Sequence, residues 1–481
     1  MSVNERVGQR TLDDEMSEVV PASEVSWDVE TDVLVAGAGG CGLVATLAAS
    51  ENSELRVTLL EKTDEPGGNT GLSTGMIPAA GTRFQRAAGI DEAPEDMAQD
   101  ILKKNDYEAD EVIVQHLCEE SRVLVHWLVD EWDISLHFVD DFRYPKQSEY
   151  RMHAPPGRKG AHLVGELADR VDSQPNAELL TNTPIRQLVA EDGAVTGVIA
   201  GKRHKEAIRA QKIVLATNGF AGNKQMIKEW CPEIEEALYF GADGNTGDGI
   251  RMGAELGGDL ACMDAYQGFA SVIQGIGIHS TYAAIMKGGI MINTDGERFG
   301  DESRGYSAFA VDVLRQPNGV AYKLFDQEIF DELEGEFDDF DEAVKLGGYE
   351  QGESIEALAK RFDFNAEMAR ETLKAYNDAA ASGGPDETGR AEGLKPLSPP
   401  FYGAEVTGAL FHTQGGLVVD EHGRVLREDH TPVENLYAGG GTAVGISGHG
   451  AGGYLSGNGL TAALGFGRLA GVHARNALSD N

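Results

Sequence analysis

Nothing in this sequence is apolar for long enough to cross a bilayer, which takes about 20 residues of helix, so no membrane span is expected. Cysteine is scarce: Cys41, Cys118, Cys231 and Cys262 are the full set, and none stands in a C-x-x-C pair. That excludes haem attachment, a zinc knuckle and an iron–sulfur ligand set, and no metal site is expected. The pattern fits a reducing, cytoplasmic setting, and Cys41, inside a glycine turn, reads as a small packing residue. Positive charge is short as well. Lys and Arg number 40 against 79 Asp and Glu, a formal charge of −39, which argues against a nucleic acid or an anionic membrane as partner. Such acidity suits solubility in salt, as in a salt-loving source, and equally an ordinary acidic cytoplasmic protein. The acids gather in runs such as Glu334–Glu342, read as a solvated face. Residues 1–26 are polar and acidic and lack an apolar signal core or a twin arginine. They are expected to form a flexible tail, or else an arm on a partner subunit.

What the chain does have is length, glycine and one ordered motif. Its 481 residues, 41% hydrophobic, exceed a single core and suffice for two or three domains. Asp32-Val-Leu-Val-Ala-Gly-Ala-Gly-Gly-Cys-Gly42 joins a short apolar run to G-x-G-x-x-G, and Leu43–Ser50 reads as the helix that follows. Gly37 makes the tight turn, Gly39 lets backbone approach a pyrophosphate, and Gly42 lets helix pack on strand. The helix N-terminus offers free N–H groups to the phosphates. Val57–Leu60 is the next strand, and Glu61 stands at its end, where a carboxylate accepts from a ribose hydroxyl. Glu65–Met76 is a second glycine-rich segment carrying Asn69, Thr70, Ser73 and Thr74. Two such segments this close point to one extended dinucleotide-like ligand.

Further along, 94–105 and 110–131 have helical apolar spacing, with Pro94 at a first helical position. Arg151, His153 and Arg158 follow in a loop, either near the ligand or on the surface. Strands are expected at 178–180, 185–189 and 195–200, with a hairpin turn at 191–193. A buried strand at 212–216 ends in a small-residue loop. Asp248 opens a helix over 250–256, as a cap or as a ligand contact. From Gly268 the pattern changes. Two helices over 354–380 and a linker at 381–386 precede renewed strand patterning at 411–420, a glycine turn at 439–441 and a last helix over 460–475. The nucleotide domain therefore reads as split, 27–270 with 405–481, around an inserted domain over 271–404.

From about Trp27 onward this order resembles the fumarate reductase and 3-ketosteroid dehydrogenase class of FAD flavoproteins. The segments that carry the resemblance are GAGGCG with LLEK, GGNTGLSTG, LATNGFAGN, GNTGDGIRMGAELGG, GERFGDE, FHTQGGL, NLYAGGG and SGNGLTAALGFGRLAG. The resemblance implies an α/β fold, a Rossmann-like FAD-binding domain of the glutathione-reductase type with an inserted α+β capping domain. It implies FAD, with hydride exchange between flavin N5 and an activated C–C bond. It places Gly37, Gly39, Gly42, Glu61 and Lys62 on the ADP half, and Asn69, Thr70, Ser73 and Gly75 along the pyrophosphate and flavin. Ala216, Asp248 and Gly440 join the cofactor set. Ser456, Gly457, Asn458 and Leu460 lie beside the pyrimidine edge, where a helix N-terminus stabilises anionic reduced flavin.

Two departures from the family pattern stand out. Gly441 replaces the Glu or Asn usual after the LYA-x-G turn, which removes a ribityl contact. The second glycine segment carries no histidine, so non-covalent FAD is expected. The chemistry branches at two positions where the fumarate reductase branch has arginines, a proton donor and a carboxylate clamp. Here they are Tyr306 and Tyr454, as in the ketosteroid branch, which implies removal of the proton α to a ketone by Tyr306 and a hydrogen bond from Tyr454 to the ketone oxygen. A tyrosine base needs a lowered pKa or a relay, with Arg304 or His412 as helpers. His412 matches a substrate-contacting histidine, and equally a satisfied strand-end histidine. The expected function is desaturation of the α,β bond of a cyclic or steroid-like ketone, with enone reduction as its reverse. An alternative is a fumarate-reductase-like enzyme, which would need Arg151, Arg251 or Arg304 as clamps; another is a flavin-binding subunit without activity. The electron acceptor and the oligomeric state are not legible.

Overall fold

The computed structural model describes residues 18–479. A nine-stranded mixed sheet forms one layer, and its centre is the strand Val29–Ala36, flanked in parallel by Glu206–Leu215 on one side and Val57–Leu60 on the other. Ala177–Leu180 extends the parallel set past Val57–Leu60, and Pro432–Ala438 pairs in parallel with the end of Glu206–Leu215. Val33, Leu34 and Val35 are wholly buried, as strands covered on both faces require. The antiparallel hairpin Ile185–Glu191 and Ala194–Ala200 extends the other edge. The last helix, Asn458–Ser479, lies on the first, Gly40–Ser50. Small residues allow this: a Cβ on Gly471 would stand 2.4 Å from the Ala45 carbonyl oxygen. Among the described residues no helix is long and apolar enough to cross a membrane.

The second layer is a seven-stranded sheet whose main path runs 278–279, 266–273, 401–413, 320–326, 290–292, with 238–239 and 350–352 also paired to 401–413. Phe401–Thr413 is its spine, pairing antiparallel with Tyr266–Ile273 and with Val320–Asp326. The expected boundaries at 270/271 and 404/405 fall inside these long strands; pairing with Val320–Asp326 runs unbroken across 404/405, and the ladder is irregular between Phe269 and Val272. Tyr266–Ile273 is buried at every position and so lacks the alternation that marks a half-exposed strand.

Part of the expected tail is ordered. Val19–Pro21 pairs in parallel with Leu188–Ala190, and the Trp27 ring closes on the strand at Gly197. The sheet edge gives these residues backbone partners that their polar neighbours do not advertise; residues 1–17 lie outside the described residues. Arg151 is likewise no surface residue: 1% exposed, it is paired with Glu92 and Asp100, each at 2.5 Å.

Candidate active site

The glycine turn works as its spacing dictates. Gly37 has φ +108° and a Cβ on Gly42 would stand 1.8 Å from the Gly37 carbonyl oxygen, so turn and helix start are in contact. Gly39 is different: its Cβ would meet nothing nearer than 3.8 Å, which leaves open space in front of it. The helix Gly40–Ser50 starts there without a side-chain cap, so its first N–H groups face that space unpaired. Glu61 accepts from Ala38 N at 2.8 Å through one oxygen and from Thr63 N and Oγ1, both at 2.8 Å, through the other. This pins the carboxylate at the strand end beside the turn.

From there a cavity of about 750 Å³ runs to the second sheet, within the range of cofactor and ligand sites. It brings together Gly37, Gly39, Glu61, Lys62, Asn69, Thr70, Ser73, Ala216, Asp248, Gly440, Ser456, Gly457 and Leu460 with Tyr306, His412 and Tyr454. Three expected residues lie behind the wall instead. Gly42 packs under Gly37, Gly75 (φ +68°) turns the chain against Pro155 and Gly160, and Asn458, 1% exposed, donates to Ser447 Oγ at 3.1 Å. Asp248 is not a helix cap; Gly247 holds that place. Its carboxylate takes Lys62 Nζ at 3.0 Å, Thr246 Oγ1 at 2.9 Å and Arg251 Nη2 at 3.2 Å. Burial alone would raise its pKa, and Lys62, Thr246 and Arg251 together hold it below the usual carboxylate value.

The far end is aromatic. The Tyr306 ring lies 6.1 Å from that of Tyr454, 5.2 Å from Phe269, 5.7 Å from Tyr282 and 6.3 Å from Tyr144. Phe411 stacks between Phe240 at 5.3 Å and Phe269 at 4.9 Å. The hydroxyls of Ser456 and Tyr454 lie near that of Tyr306, and Gly457 and Gly459 lie near the Tyr454 oxygen. Burial pushes both tyrosines well above the ordinary phenol pKa, so both are neutral donors at neutral pH. His412, 5.8 Å from the Tyr454 ring, has its pKa pushed down by burial to about 4 and is uncharged. Gln414 Nε2 meets its Nδ1 at 3.0 Å.

Among the described residues the cavity wall contains no arginine, and its one lysine, Lys62, is held by Asp248 at the nucleotide end. The arginines that a carboxylate clamp would need are committed elsewhere: Arg151 to Glu92 and Asp100, Arg251 to Asp248 and Glu18, Arg304 to Asp312. Sequence reasoning missed Tyr144, Phe240, Phe269, His279, Tyr282, Phe411, Gln414 and Asp339, all in the wall. Asp339 comes from the acidic run read as a solvated face; it pairs with His279 at 3.4 Å while its neighbour Phe340 is fully buried. The signal was available in Phe337 and Phe340, two aromatics at helical spacing among acids. The remaining aromatics sit in strands and loops with no motif to mark them.

The residues fit FAD. The helix N-terminus is open, the space before Gly39 is clear, and the buried Asn245 Oδ1 in the cavity wall lacks a partner among the described residues. The family model of an FAD binding domain matches residues 32–460. A fumarate reductase (cytochrome) of Shewanella frigidimarina is 30% identical over 94% of this chain and 78% of its own length. The open conformation of a flavocytochrome c3 fumarate reductase matches with a TM-score of 0.79 at 29% identity, over 95% of this chain and 80% of that one. The 3-ketosteroid-Δ4-(5α)-dehydrogenase of Rhodococcus jostii, in complex with 4-androstene-3,17-dione, matches with a TM-score of 0.74 at 27% identity, over 95% and 99%. Both branches of the class are thus represented among the similar proteins. The match of the family model along nearly the whole chain, with a cleft lined by the residues described, identifies the protein as a member of the FAD-binding family that includes fumarate reductases and ketosteroid dehydrogenases, an FAD-dependent oxidoreductase acting on carbon–carbon double bonds.

Proposed function

We propose that this enzyme interconverts a neutral ketone, cyclic or steroid-like, and its α,β-unsaturated form. The observation that carries this reading is the reacting end of the cavity: two buried tyrosines with rings 6.1 Å apart, an uncharged histidine and, among the described residues, no arginine. A dicarboxylate bound there would bury charge without a paired cation, at a cost of several kcal/mol. A ketone needs only donors to one oxygen.

Glu61 and the N-terminus of Gly40–Ser50 would hold the ADP half of FAD, and Asn69, Thr70, Ser73 and Ser456–Leu460 the rest. When bound, FAD supplies hydride exchange with the β carbon. Tyr306 exchanges the α proton. Tyr454 donates its O–H to the ketone oxygen. Ser456 gives the Tyr306 proton a neighbour to pass to. Burial keeps Tyr306 protonated, which suits it to giving a proton, so the residues are set for enone reduction and need the relay for desaturation. Among the described residues His279 and His412 are the only histidines in the cavity wall and neither lies in the second glycine segment, which supports non-covalent attachment. A cytoplasmic location and an unidentified electron acceptor complete the reading.

The alternative, an ene reductase for an unsaturated carboxylate, is favoured by the fumarate reductases among the similar proteins; within the site only the His279–Asp339 pair could answer a carboxylate. An anaerobic screen that follows flavin bleaching separates the two. Reduction of the flavin by saturated cyclic ketones, and reoxidation by enones but not by fumarate, is the expected result. Rapid fumarate turnover overturns the ketone reading. Denaturation in acid should release the yellow colour as free FAD; colour retained on the precipitate overturns non-covalent attachment.

A further inference from the structure

Proton and hydride exchange leave one polar pair of the cavity wall without a task. His279 ends the strand Ile278–His279, and Asp339 lies in the first turn of the helix Asp338–Lys345; both line the main cavity. Asp339 Oδ2 stands 3.4 Å from His279 Nδ1, a buried nitrogen with no other partner among the described residues. Burial would raise the Asp339 pKa, and His279 and Lys159 hold it below the usual carboxylate value. The Phe269 ring neighbours both this pair and the catalytic tyrosine, 4.4 Å from the His279 ring and 5.2 Å from that of Tyr306. His279 therefore lies one ring along the aromatic wall from the reacting end.

The backbone that carries the imidazole is fixed as firmly as its ring. Lys323, wholly buried, donates to the carbonyls of Ser280 at 3.1 Å and Thr281 at 2.9 Å. Among the described residues no carboxylate lies within ion-pair distance of it. Burying an ammonium without a counter-charge is costly, and the carbonyls it holds are the two that follow His279. Ser280 Oγ meets the Tyr349 hydroxyl at 2.7 Å, and the Tyr282 O–H donates to the Glu302 carbonyl at 3.0 Å. A segment tied at every residue from 279 to 282 keeps a side chain within the tolerance that recognition of a ligand needs.

The charge of the pair decides what it can read. A carboxylate beside Nδ1 favours the proton there, so the opposite ring edge presents Nε2 to the cavity as an acceptor; a second proton makes Nε2 a donor. A hydroxyl answers both forms. A carboxylate answers neither well, because Asp339 already meets the imidazolium charge and repels an anion when the ring is neutral. An apolar group would leave Nε2 unpaired.

We propose that His279 is a specificity-determining residue that binds a hydroxyl group of the substrate remote from the ketone, with Asp339 as its positioning residue. The substrate is then a hydroxylated cyclic ketone. Its carbonyl lies at Tyr454, its skeleton runs along Phe269 and Phe411, and its hydroxyl reaches His279. This rests on the ketone reading given above.

The test follows flavin reduction in FAD-loaded enzyme under anaerobic conditions. Three ketones differ only in the group remote from the carbonyl: 4-(hydroxymethyl)cyclohexanone, 4-methylcyclohexanone and 4-carboxycyclohexanone. The series is repeated with the 17-hydroxy, 17-deoxy and 17-carboxy forms of androstan-3-one. On at least one skeleton the hydroxyl form should have an apparent Kd about tenfold below those of the other two, the scale of one hydrogen bond to a charged group, while the limiting rate moves little. His279→Phe, which keeps a ring against Phe269, should bring the ratio towards one, and Asp339→Asn should lower it in part. A ratio near one on both skeletons, a preference for the carboxylate, or a ratio that His279→Phe leaves unmoved overturns the proposal. Binding is also read from the perturbed flavin absorbance. Should no ketone reduce the flavin while the hydroxyl form still binds most tightly, and His279→Phe removes that difference, the ketone reading fails and the hydroxyl site stands. Equal or absent binding overturns the site as well.

Discussion

The two ends of the main cavity are built in opposite ways. The nucleotide end is made of backbone: a turn, two helix starts and one carboxylate, drawn from residues 37–76 and completed by 456–460. The catalytic end is made of side chains, Tyr144, Tyr306, Phe411, His412 and Tyr454, that come from four distant stretches and meet only once both sheets are in place. The first end tolerates almost no side-chain volume and depends little on what its neighbours are. The second depends wholly on which side chains arrive, and in what protonation state.

That contrast can be broken at its strongest point first. Gly39→Leu adds a side chain where the protein leaves space but a pyrophosphate must approach, so it should fold and be colourless; Gly42→Leu drives a Cβ into the Gly37 carbonyl and should not fold. Circular dichroism and flavin absorbance read both, and a yellow Gly39→Leu protein would mean that the turn does not face the phosphates. Next in size is Tyr306→Phe. It should keep FAD and lose at least about a hundredfold in rate, the scale of a removed general acid–base group; unchanged turnover would take the catalytic role from Tyr306.

A smaller effect concerns buried imidazoles. His412 and His153 each have a pKa lowered to about 4 by burial. Their unfolded forms take up protons below about 6.5 while the native forms do not until about 4. Stability is therefore complete above the unfolded value and should fall as pH drops through that window. Urea midpoints between pH 7 and 4 should show the slope, and His153→Asn should flatten it; an equal slope in the variant would assign the loss to other groups. Last is salt. A charge of −39 repels itself and counter-ions screen it, so the melting temperature should rise by several degrees from low to high potassium chloride. A flat or falling melting temperature would remove the electrostatic argument.

The same contrast explains what could be read from the sequence. The strand–turn–helix with Glu61, and the helices at 94–104 and 111–130, follow from local spacing. Tyr306 and Tyr454 were found by registering short motifs, and the structure puts their rings in contact. Tyr144, Phe269 and Gln414 were not found, because no local pattern says that a loop at 144 will close over a helix starting at 306. The raised pKa of Tyr306 was also illegible: it comes from burial, and the sequence had called for a lowered one or a relay. Asp339 hid in an acidic run whose solvated reading was right for most of its members.

The strand Phe401–Thr413 carries a last consequence. One end lies among cap strands and the other delivers His412 to the cavity. A gene fragment encoding 271–404 would begin and end in mid-strand, leaving Val272, Ile273 and Val320–Tyr322 without their partners at Glu405–Thr407. Excised modules and chimeras cut at those points should therefore be insoluble, and a cap exchanged between relatives must take both long strands with it, and with them the histidine of the site it covers.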